Sequence, residues 1–292
     1  MNSTFADLRD RLAAGFVPLP DKPEETPDAS LRALWHAAAG HPKSVVAAAA
    51  GELPPLDESG LSRLHALIDR RLEGVPLAHL TGRQHFAGME MLAGAGALVP
   101  RRETELLAQA AIALAREVAA PLVVDVCTGC GNVALALARH VVDARVFGAD
   151  LSEDALALAR QNADWLGLAD RVEFRAGDLL APFDSDEFLG QVDVLTCNPP
   201  YISSGKVGQM AAEIAGHEPR LAFDGGPLGV TILMRLVQEA PRYVRSGGWL
   251  AFEVGLGQGP ALVRRLKGTP AYREVREIAD ENGAVRAILV RC

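Results

Sequence analysis

Two consecutive prolines, Pro199 and Pro200, follow the apolar run Val192–Cys197 after a single intervening residue. The run has the length and the β-branched content of a buried strand. Proline fixes φ and lacks a backbone N–H donor, so neither a helix nor a sheet can continue through the pair. The sequence therefore predicts a buried strand that ends in a rigid, extended turn, which carries the side chains of Asn198 and Tyr201.

The turn Asn198–Tyr201 suits the recognition of a planar nitrogen group. An amide nitrogen is a poor nucleophile, because its lone pair is delocalised into the carbonyl. Hydrogen bonds from its N–H groups to the Asn198 side-chain oxygen and the Pro199 carbonyl would aim the nitrogen at an electrophile. Tyr201 could stack on the planar group. We therefore expect Asn198, Pro199 and Tyr201 to be catalytic. A strand-ending turn without a function is the alternative, since Pro-Pro also occurs in ordinary loops.

The segment Leu122–Asn132 predicts a strand followed by a glycine-containing turn, and it precedes a predicted helix rich in Ala and Leu. Gly129 and Gly131 allow the backbone to pass close to a ligand, and the helix N-terminus favours an anionic group. The turn lacks the Gly-Lys-Ser/Thr of a P-loop, and Ala134 replaces the third glycine of a dinucleotide-binding turn. The next predicted strand ends in Asp150, about 20 residues after the glycines, where an acid can hold ribose hydroxyls.

Four predicted strands end near one another in the expected sheet, at Thr128–Gly129, Asp150, Asp178 and Asn198. The carboxyl ends of parallel strands meet at one edge of an open α/β sheet, where such sheets bind ligands. Asp178 and its apolar neighbour Leu179 would lie beside a purine. S-adenosylmethionine and an amine-type acceptor fit this set, whereas NAD gives the Asn-Pro-Pro-Tyr turn no role. Capping of the next helix is the alternative for Asp150.

The combined order and spacing of these motifs resembles the HemK-type protein-(glutamine-N5) methyltransferases, which methylate the glutamine of the Gly-Gly-Gln motif of peptide chain release factors. The likeness covers nearly all of the 292 residues. It is carried by Gly82–Gly88, Leu98–Glu105, Asp125–Gly131, Asp150, Asn198–Tyr201, His217–Arg220 with Gly225 and Gly226, and Phe252–Gly255 with Gln258.

The resemblance implies an α/β fold: a seven-stranded, mostly parallel Rossmann-like methyltransferase sheet with a small N-terminal all-helical domain and a β-hairpin linker. It also implies S-adenosylmethionine as the cofactor and a release factor as the protein partner. The expected cofactor contacts, with Asp178 added from the strand-end argument, are Cys127, Thr128, Gly129, Cys130, Gly131, Asp150, Asp178, Leu179 and Asn198. The expected substrate contacts are Asn198, Pro199, Pro200, Tyr201 and Arg101, although an interdomain ion pair is an alternative for Arg101.

The chain departs from the family pattern at several positions. Arg102 replaces a usual Pro, Cys127 and Cys130 replace a Gly and a Ser or Thr, and Pro227–Gly229 replaces a segment that usually ends in Asp-Gly. None of these changes alters Asn198–Tyr201, but the last lies on the substrate side. A related methyltransferase acting on another amide or amine, of a different protein or a small molecule, is therefore the alternative. An inactive binding scaffold and a DNA adenine methyltransferase are further alternatives.

Composition favours a soluble, folded, cytoplasmic enzyme. The longest apolar run, Val45–Ala50, is too short to cross a bilayer, and Met1–Thr4 lacks the features of a signal peptide. Cys127 and Cys130 could cluster with Cys197, but zinc generally requires a fourth ligand, so we expect no metal. The net charge of −8 provides no basic surface for a nucleic acid, so we expect no direct binding to one.

Three regions are predicted along the chain. Residues 1–80 show helical periodicity and form a helical substrate-docking domain, with a stabilising cap as the alternative role. Residues 81–100 form a β-hairpin linker, in which Gly alternates with apolar residues from position 84 to 99. Residues 101–292 form the methyltransferase domain. The segment Pro18–Pro27 is expected to be a loop, and the Asn-Gly of Asp280–Gly283 predicts a hairpin turn between two C-terminal strands.

Overall fold

The computed structural model describes residues 3–19, 21–210, 214 and 216–292, so that Met1, Asn2 and Pro20 of the segments discussed above lie outside the described residues. The helices are α1 (Ser3–Gly15), α2 (Pro27–Ala38), α3 (Val45–Ala48), α4 (Glu58–Leu72), α5 (Leu77–Thr81), α6 (Thr104–Arg116), α7 (Asn132–His140), α8 (Glu153–Trp165), α9 (Ser204–Val207), α10 (Thr231–Glu239) and α11 (Gly259–Lys267). The strands are β1 (Arg83–Phe86), β2 (Met89–Leu92), β3 (Leu122–Val126), β4 (Arg145–Asp150), β5 (Val172–Ala176), β6 (Val192–Cys197), β7 (Val244–Glu253), β8 (Glu274–Ala279) and β9 (Val285–Arg291). Over the described part of the chain, no helix has the length and apolar character that a membrane span requires.

Strands β3 to β9 form one seven-stranded sheet in the order β5-β4-β3-β6-β7-β9-β8. Neighbours from β5 to β7 pair in parallel, while β9 pairs antiparallel with both β7 and β8. The chain runs outward from β3 to β5 and then returns to β6 on the other side of β3. Open α/β sheets bind ligands at such a reversal, beyond the carboxyl ends of the strands. The predicted fold class is confirmed, and the predicted Asn-Gly hairpin joins β8 to β9.

Apolar layers cover both faces of this sheet. Helices α6, α7 and α8 pack on one face through fully buried side chains such as Leu107, Leu135 and Leu156. Helices α10 and α11 cover the other face, where Phe183 and Phe188 are also fully buried. A parallel sheet covered on both faces favours strands that are apolar throughout, which explains the continuous apolar runs in the sequence.

The helices of residues 3–81 enclose a hydrophobic cluster of their own, which includes Phe5, Leu31 and Leu64. Helix α2 begins at Pro27 after the N-cap residue Thr26, whose hydroxyl accepts a hydrogen bond from the backbone N–H of Ala29. Helix α4 is capped in the same way by the Asp57 carboxylate. Capping residues and an apolar stripe thus define these helices locally.

The hairpin β1–β2 turns at Ala87 and Gly88, which both have positive φ, as a tight two-residue turn requires. Strand pairing ends at Leu92, so the hairpin is shorter than the predicted 84–99. The following residues run against α8 instead, where a Cβ added at Gly96 would lie 3.1 Å from the backbone oxygen of Asp154. Close packing of this backbone, not strand pairing, explains Gly96.

Two side chains link the hairpin to the rest of the molecule. The backbone N and the hydroxyl of Ser44 donate to the Glu90 carboxylate at 2.5 and 2.6 Å. On the other side, the Asn162 side chain accepts from Leu92 N at 2.7 Å and donates to the carbonyls of Leu92 and Cys130 at 3.2 Å. The helical region, the hairpin and the glycine-containing turn after β3 are therefore connected.

Candidate active site

A cavity lies beyond the carboxyl ends of β3, β4, β5 and β6. We call it the strand-end cavity. Residues predicted from the sequence form much of its wall, namely Arg101, Cys127, Thr128, Gly129, Cys130, Asp150, Asp178, Leu179, Asn198 and Pro200. The sheet topology therefore brings together residues that are up to about a hundred positions apart in the sequence.

Gly131 is the predicted cofactor residue that does not line this cavity. It precedes α7 with φ +81°, and its N–H donates to the Thr128 carbonyl at 2.8 Å. A Cβ at this position would lie 3.0 Å from the Phe174 ring. The left-handed backbone and the close packing both require glycine here, so Gly131 fixes the conformation of the turn without contacting the cavity.

Asp150 ends β4 and is held by backbone groups. Its Oδ2 accepts from Gly129 N at 2.8 Å, and its Oδ1 accepts from Ser152 N at 2.9 Å. The N-cap of α8 is Ser152, whose hydroxyl accepts from Ala155 N. Burial raises the pKa of Asp150. Each carboxylate oxygen keeps a further lone pair, and Asp150 lines the strand-end cavity, so it can still accept hydrogen bonds from a ligand.

Asp125 is a cavity residue to which the sequence analysis gave no role. It lies within β3, is 1% exposed, and accepts hydrogen bonds from the hydroxyls of Thr128 and Thr196, each at 2.6 Å. Burial raises its pKa to about 6. A lone acid inside an otherwise apolar strand is the signal that could have identified it, because a buried carboxyl group needs specific partners.

Asp178 and Leu179 follow β5 and differ in their surroundings. Asp178 forms a two-point ion pair with Arg235, at 3.3 Å from Nη1 and 2.9 Å from Nη2. Leu179 is buried and has φ +48°. Together with Leu151 and Ile232 it gives the strand-end cavity an apolar part. The predicted apolar neighbour is in place, whereas the Arg235 partner of Asp178 was not predicted.

The cysteines near the cavity are free thiols. Burial raises the pKa of Cys130 to about 12 and that of Cys197 well above its ordinary value. A thiol that stays protonated is a poor nucleophile and a poor metal ligand. Among the described residues, no three His, Cys, Asp or Glu side chains are grouped so as to hold a metal ion.

A second, smaller cavity lies on the other side of the Asn-Pro-Pro-Tyr turn, and we call it the turn cavity. It is lined by Asp21, Leu98, Arg101, Glu103, Asn198, Tyr201, Ile202, Met210, Ile214, Ala222 and Phe223. Asn198 lines both cavities, as do Leu98, Arg101 and Ala222. Pro199 is buried and lines neither cavity, whereas Pro200 lines the strand-end cavity. The predicted carboxamide therefore stands where the two cavities meet.

Tyr201 is fixed at both its ring and its backbone. Its hydroxyl donates to Glu253 Oε1 at 3.1 Å, and its carbonyl accepts from Gln258 Nε2 at 3.0 Å. Burial raises the pKa of Tyr201 well above its ordinary value and that of Glu253 to about 7. In the sequence, Glu253 and Gln258 are recognised only as parts of the resemblance, and the structure shows that both hold Tyr201.

The loop of residues 220–229 packs against the Asn-Pro-Pro-Tyr turn. Ile202 pairs with Asp224 in a parallel bridge. A Cβ at Gly225 would lie 2.5 Å from the Pro200 carbonyl oxygen, and one at Gly229 would lie 2.3 Å from the Tyr201 carbonyl oxygen. These close contacts leave no room for a Cβ, so both positions require glycine. In the segment that departs from the family pattern, the neighbouring Leu228 is 79% exposed.

Arg101 joins distant parts of the chain through two ion pairs. Its Nη2 donates to Glu218 Oε1 at 2.6 Å, and its Nε lies 3.3 Å from Asp21 Oδ2. The other oxygen of Glu218 accepts from Val99 N at 2.9 Å. The ion-pair alternative for Arg101 is thus present in the structure, and the same side chain also lines both cavities.

Several known proteins are similar to this chain in sequence. A methyltransferase domain family model matches residues 123–217. The release factor glutamine methyltransferase of Moorella thermoacetica is 36% identical over 279 residues, which cover 96% of this chain and 94% of that protein. The chain belongs to the release factor glutamine methyltransferase family. The family member from Streptomyces coelicolor is 39% identical over 212 residues, which cover 72% of this chain and 73% of that protein.

Solved structures agree on the fold. The catalytic domain of hMettl16 in complex with the MAT2A 3′UTR hairpin 6 superposes with a TM-score of 0.54 and 13% identity, covering 70% of this chain and 76% of that chain. The human methyltransferase 10 domain containing protein gives a TM-score of 0.50 at 16% identity, covering 70% of this chain and 88% of that one. The resemblance predicted from the sequence is confirmed: this member of the release factor glutamine methyltransferase family is a methyltransferase with the corresponding fold.

Proposed function

We propose that this chain transfers a methyl group from S-adenosylmethionine to the side-chain amide nitrogen of a glutamine, in the Gly-Gly-Gln motif of a peptide chain release factor in the cytoplasm. The strand-end cavity would hold the methyl donor, and the turn cavity would hold the glutamine. The observation that carries this proposal is the position of Asn198 in the walls of both cavities. Names of relatives at 30–39% identity support the choice of acceptor.

The residues of the strand-end cavity fit S-adenosylmethionine. The free lone pairs of Asp150 suit two ribose hydroxyls, and the apolar side chains of Leu151, Leu179 and Ile232 suit an adenine ring. Gly129 has φ +56°, and a Cβ there would meet no described atom within 4 Å, so its backbone lies open to the cavity. When bound, S-adenosylmethionine supplies a methyl group already activated by a positively charged sulfur.

Asn198 orients the acceptor. Its Nδ2 donates to the Thr104 hydroxyl at 3.2 Å, which leaves Oδ1 to accept an N–H of the glutamine amide. An ester or an acid in place of the amide would leave such an accepting group unpaired, at a cost of about 1–3 kcal/mol. Fixed alignment of two reactants can supply roughly 7–11 kcal/mol of a reaction barrier. Asn198 and the Tyr201 ring thus provide orientation and selectivity.

A strong general base is not required. An amide that has just been alkylated on nitrogen is a strong acid and loses its extra proton readily to water. The acids in the described wall of the turn cavity are both ion-paired, Asp21 with Arg101 and Glu103 with Arg286. Both carboxylates are thus engaged by arginines, and the proposed reaction assigns neither of them the role of a base.

The test uses the purified protein, isotopically labelled S-adenosylmethionine and a purified release factor. After proteolysis, mass spectrometry should find the label on the glutamine of the Gly-Gly-Gln peptide. A release factor with Ala in place of this glutamine is the matched control and should stay unlabelled. Label at another residue, or no label on the release factor while a cell extract does become labelled, would replace this acceptor by another amide or amine.

A further inference from the structure

The Asn198 carboxamide has two ends with opposite hydrogen-bonding character, and the acceptor needs only one of them. The oxygen end accepts an N–H from a glutamine amide, whereas the –NH2 end would repel it. In the structure Nδ2 donates to Thr104 Oγ1 at 3.2 Å. A threonine hydroxyl can, however, both donate and accept, so Thr104 alone does not decide which end it holds. A second group must direct the hydroxyl proton.

Glu253 is that second group. It lies at the end of β7 and is 1% exposed. Tyr201 donates to its Oε1 at 3.1 Å, while its Oε2 is buried and has no hydrogen-bond partner among the described residues. The Thr104 hydroxyl is close enough to lower the pKa of this carboxyl group, and the unpaired Oε2 is free to accept its proton in a hydrogen bond. A carboxylate only accepts, so a Thr104 proton directed to it leaves only a lone pair for Asn198.

We propose that Thr104 and Glu253 are positioning residues, which together turn the Asn198 carboxamide so that its oxygen faces the acceptor. The inference rests on the proposed function for the identity of the acceptor. Neither residue lines the turn cavity, where the acceptor would sit, and Thr104 lines only the strand-end cavity. Both therefore act on the acceptor through Asn198, and Glu253 in addition holds the Tyr201 ring. The orientation of the carboxamide is set by a hydroxyl and a carboxylate rather than by the turn itself.

The charge state of Glu253 gives the arrangement a pH dependence. Burial raises its pKa to about 7, the nearby Glu103 raises it too, and Thr104, Tyr201 and Arg286 lower it. Above this pH, Glu253 is ionised, and its unpaired oxygen can accept a hydrogen bond from the Thr104 hydroxyl. Below it, a protonated Glu253 can itself donate to Thr104, whose own proton is then available to the Asn198 oxygen. Methyl transfer should therefore rise with pH through about 7.

The first test compares Thr104→Val, which keeps the shape but loses the hydroxyl, with Thr104→Ser, which keeps the hydroxyl. Misplacement of a reacting group costs about 100-fold in rate, and we expect a loss of this size in kcat for Thr104→Val. Affinity for S-adenosylmethionine, measured by calorimetry, should change little, because Val keeps the shape of the Thr104 side chain in the wall of the strand-end cavity. Thr104→Ser should retain most of the activity. Wild-type kcat in Thr104→Val, or equal losses in both variants, would contradict the proposal.

The second test uses Glu253→Gln, whose side chain can donate to Thr104 at every pH. We expect a low kcat that no longer rises with pH, in contrast to the wild type. A Glu253→Gln variant with the pH profile of the wild type would overturn the role of the carboxylate.

A third measurement needs no acceptor. In nitrogen-15-labelled protein, the side-chain –NH2 signals of Asn198, assigned by their loss in Asn198→Asp, should shift strongly in Thr104→Val. They should also titrate in the wild type but not in Glu253→Gln. Unchanged signals in Thr104→Val would disprove the positioning role. A wild-type protein that leaves the release factor unlabelled refutes the proposed function instead, and these spectra still decide the positioning role.

Discussion

The two cavities that meet at Asn198 are built in different ways. About half of the wall of the strand-end cavity comes from short segments at the ends of β3, β4 and β5, and the order of the sheet brings these residues together. The wall of the turn cavity combines residues such as Asp21, Leu98, Tyr201 and Phe223, which come from the helical region, the segment after the hairpin, the turn and its supporting loop. Sheet topology thus supplies about half of the first wall, whereas the second depends almost entirely on packing between separate segments.

The groups that fix the key side chains differ in the same way. In the strand-end cavity, Asp150 is held by the backbone N–H groups of Gly129 and Ser152. In the turn cavity, Asn198 is held by the Thr104 hydroxyl and Tyr201 by a carboxylate. Backbone donors survive most substitutions, whereas side-chain partners do not. The turn cavity should therefore be the more sensitive of the two to single substitutions around it.

Asn198→Ala should have the largest effect and should separate the two cavities. Loss of a group that aligns the reacting nitrogen should lower kcat/KM by about 100- to 1000-fold, while affinity for S-adenosylmethionine changes little. Steady-state kinetics and calorimetry measure the two quantities. Asn282→Ala, in the exposed turn between β8 and β9, is the matched control and should resemble the wild type. Equal turnover of Asn198→Ala and wild type at subsaturating acceptor would refute the role of the carboxamide.

Asp150→Ala should affect the other cavity. The variant loses two hydrogen bonds from ribose hydroxyls to a charged group, so the Kd of S-adenosylmethionine should rise by about 100-fold. The exposed Asp143, which precedes β4, provides the control variant Asp143→Ala. Calorimetry should detect weaker binding only for Asp150→Ala. If Asn198→Ala weakens cofactor binding as much as Asp150→Ala does, the two cavities do not act separately.

Two glycines with similar φ can test whether activity requires the packing of the 220–229 loop against the Asn-Pro-Pro-Tyr turn. Gly229 has φ +70° and lies against the Tyr201 carbonyl, whereas Gly257 has φ +81° and a Cβ there would meet no described atom within 4 Å. Both Gly→Ala variants carry backbone strain, but only Gly229→Ala adds a clash. We expect Gly229→Ala to cost about 1–3 kcal/mol more in the free energy of unfolding, measured in urea. Gly229→Ala should also lower kcat, whereas Gly257→Ala should not. Equal kcat values in the two variants would show that activity does not require the contact between Gly229 and the Tyr201 carbonyl.

Much of the fold and part of the site could be predicted from the sequence. Asp150 and Asn198 were predicted correctly as residues of one sheet edge, because apolar runs reveal strands and parallel strands end together. Three features of the structure could not be predicted from such patterns. Gly131 supports the turn from behind, residues after Leu92 leave the hairpin, and Asp178 pairs with Arg235. Each depends on which distant residue lies opposite, and local patterns carry no such information.

The sequence by itself determined the strands, the stiff Asn-Pro-Pro-Tyr turn and the glycines of the loop after β3, because hydrophobic periodicity and the φ preferences of Pro and Gly act over a few residues. Only the tertiary structure decided that Thr104 and Glu253 lie behind Asn198 and Tyr201, and that Asp21 reaches Arg101. Side-chain hydrogen bonds act over about 3 Å, so they depend on packing between segments that are far apart in the chain.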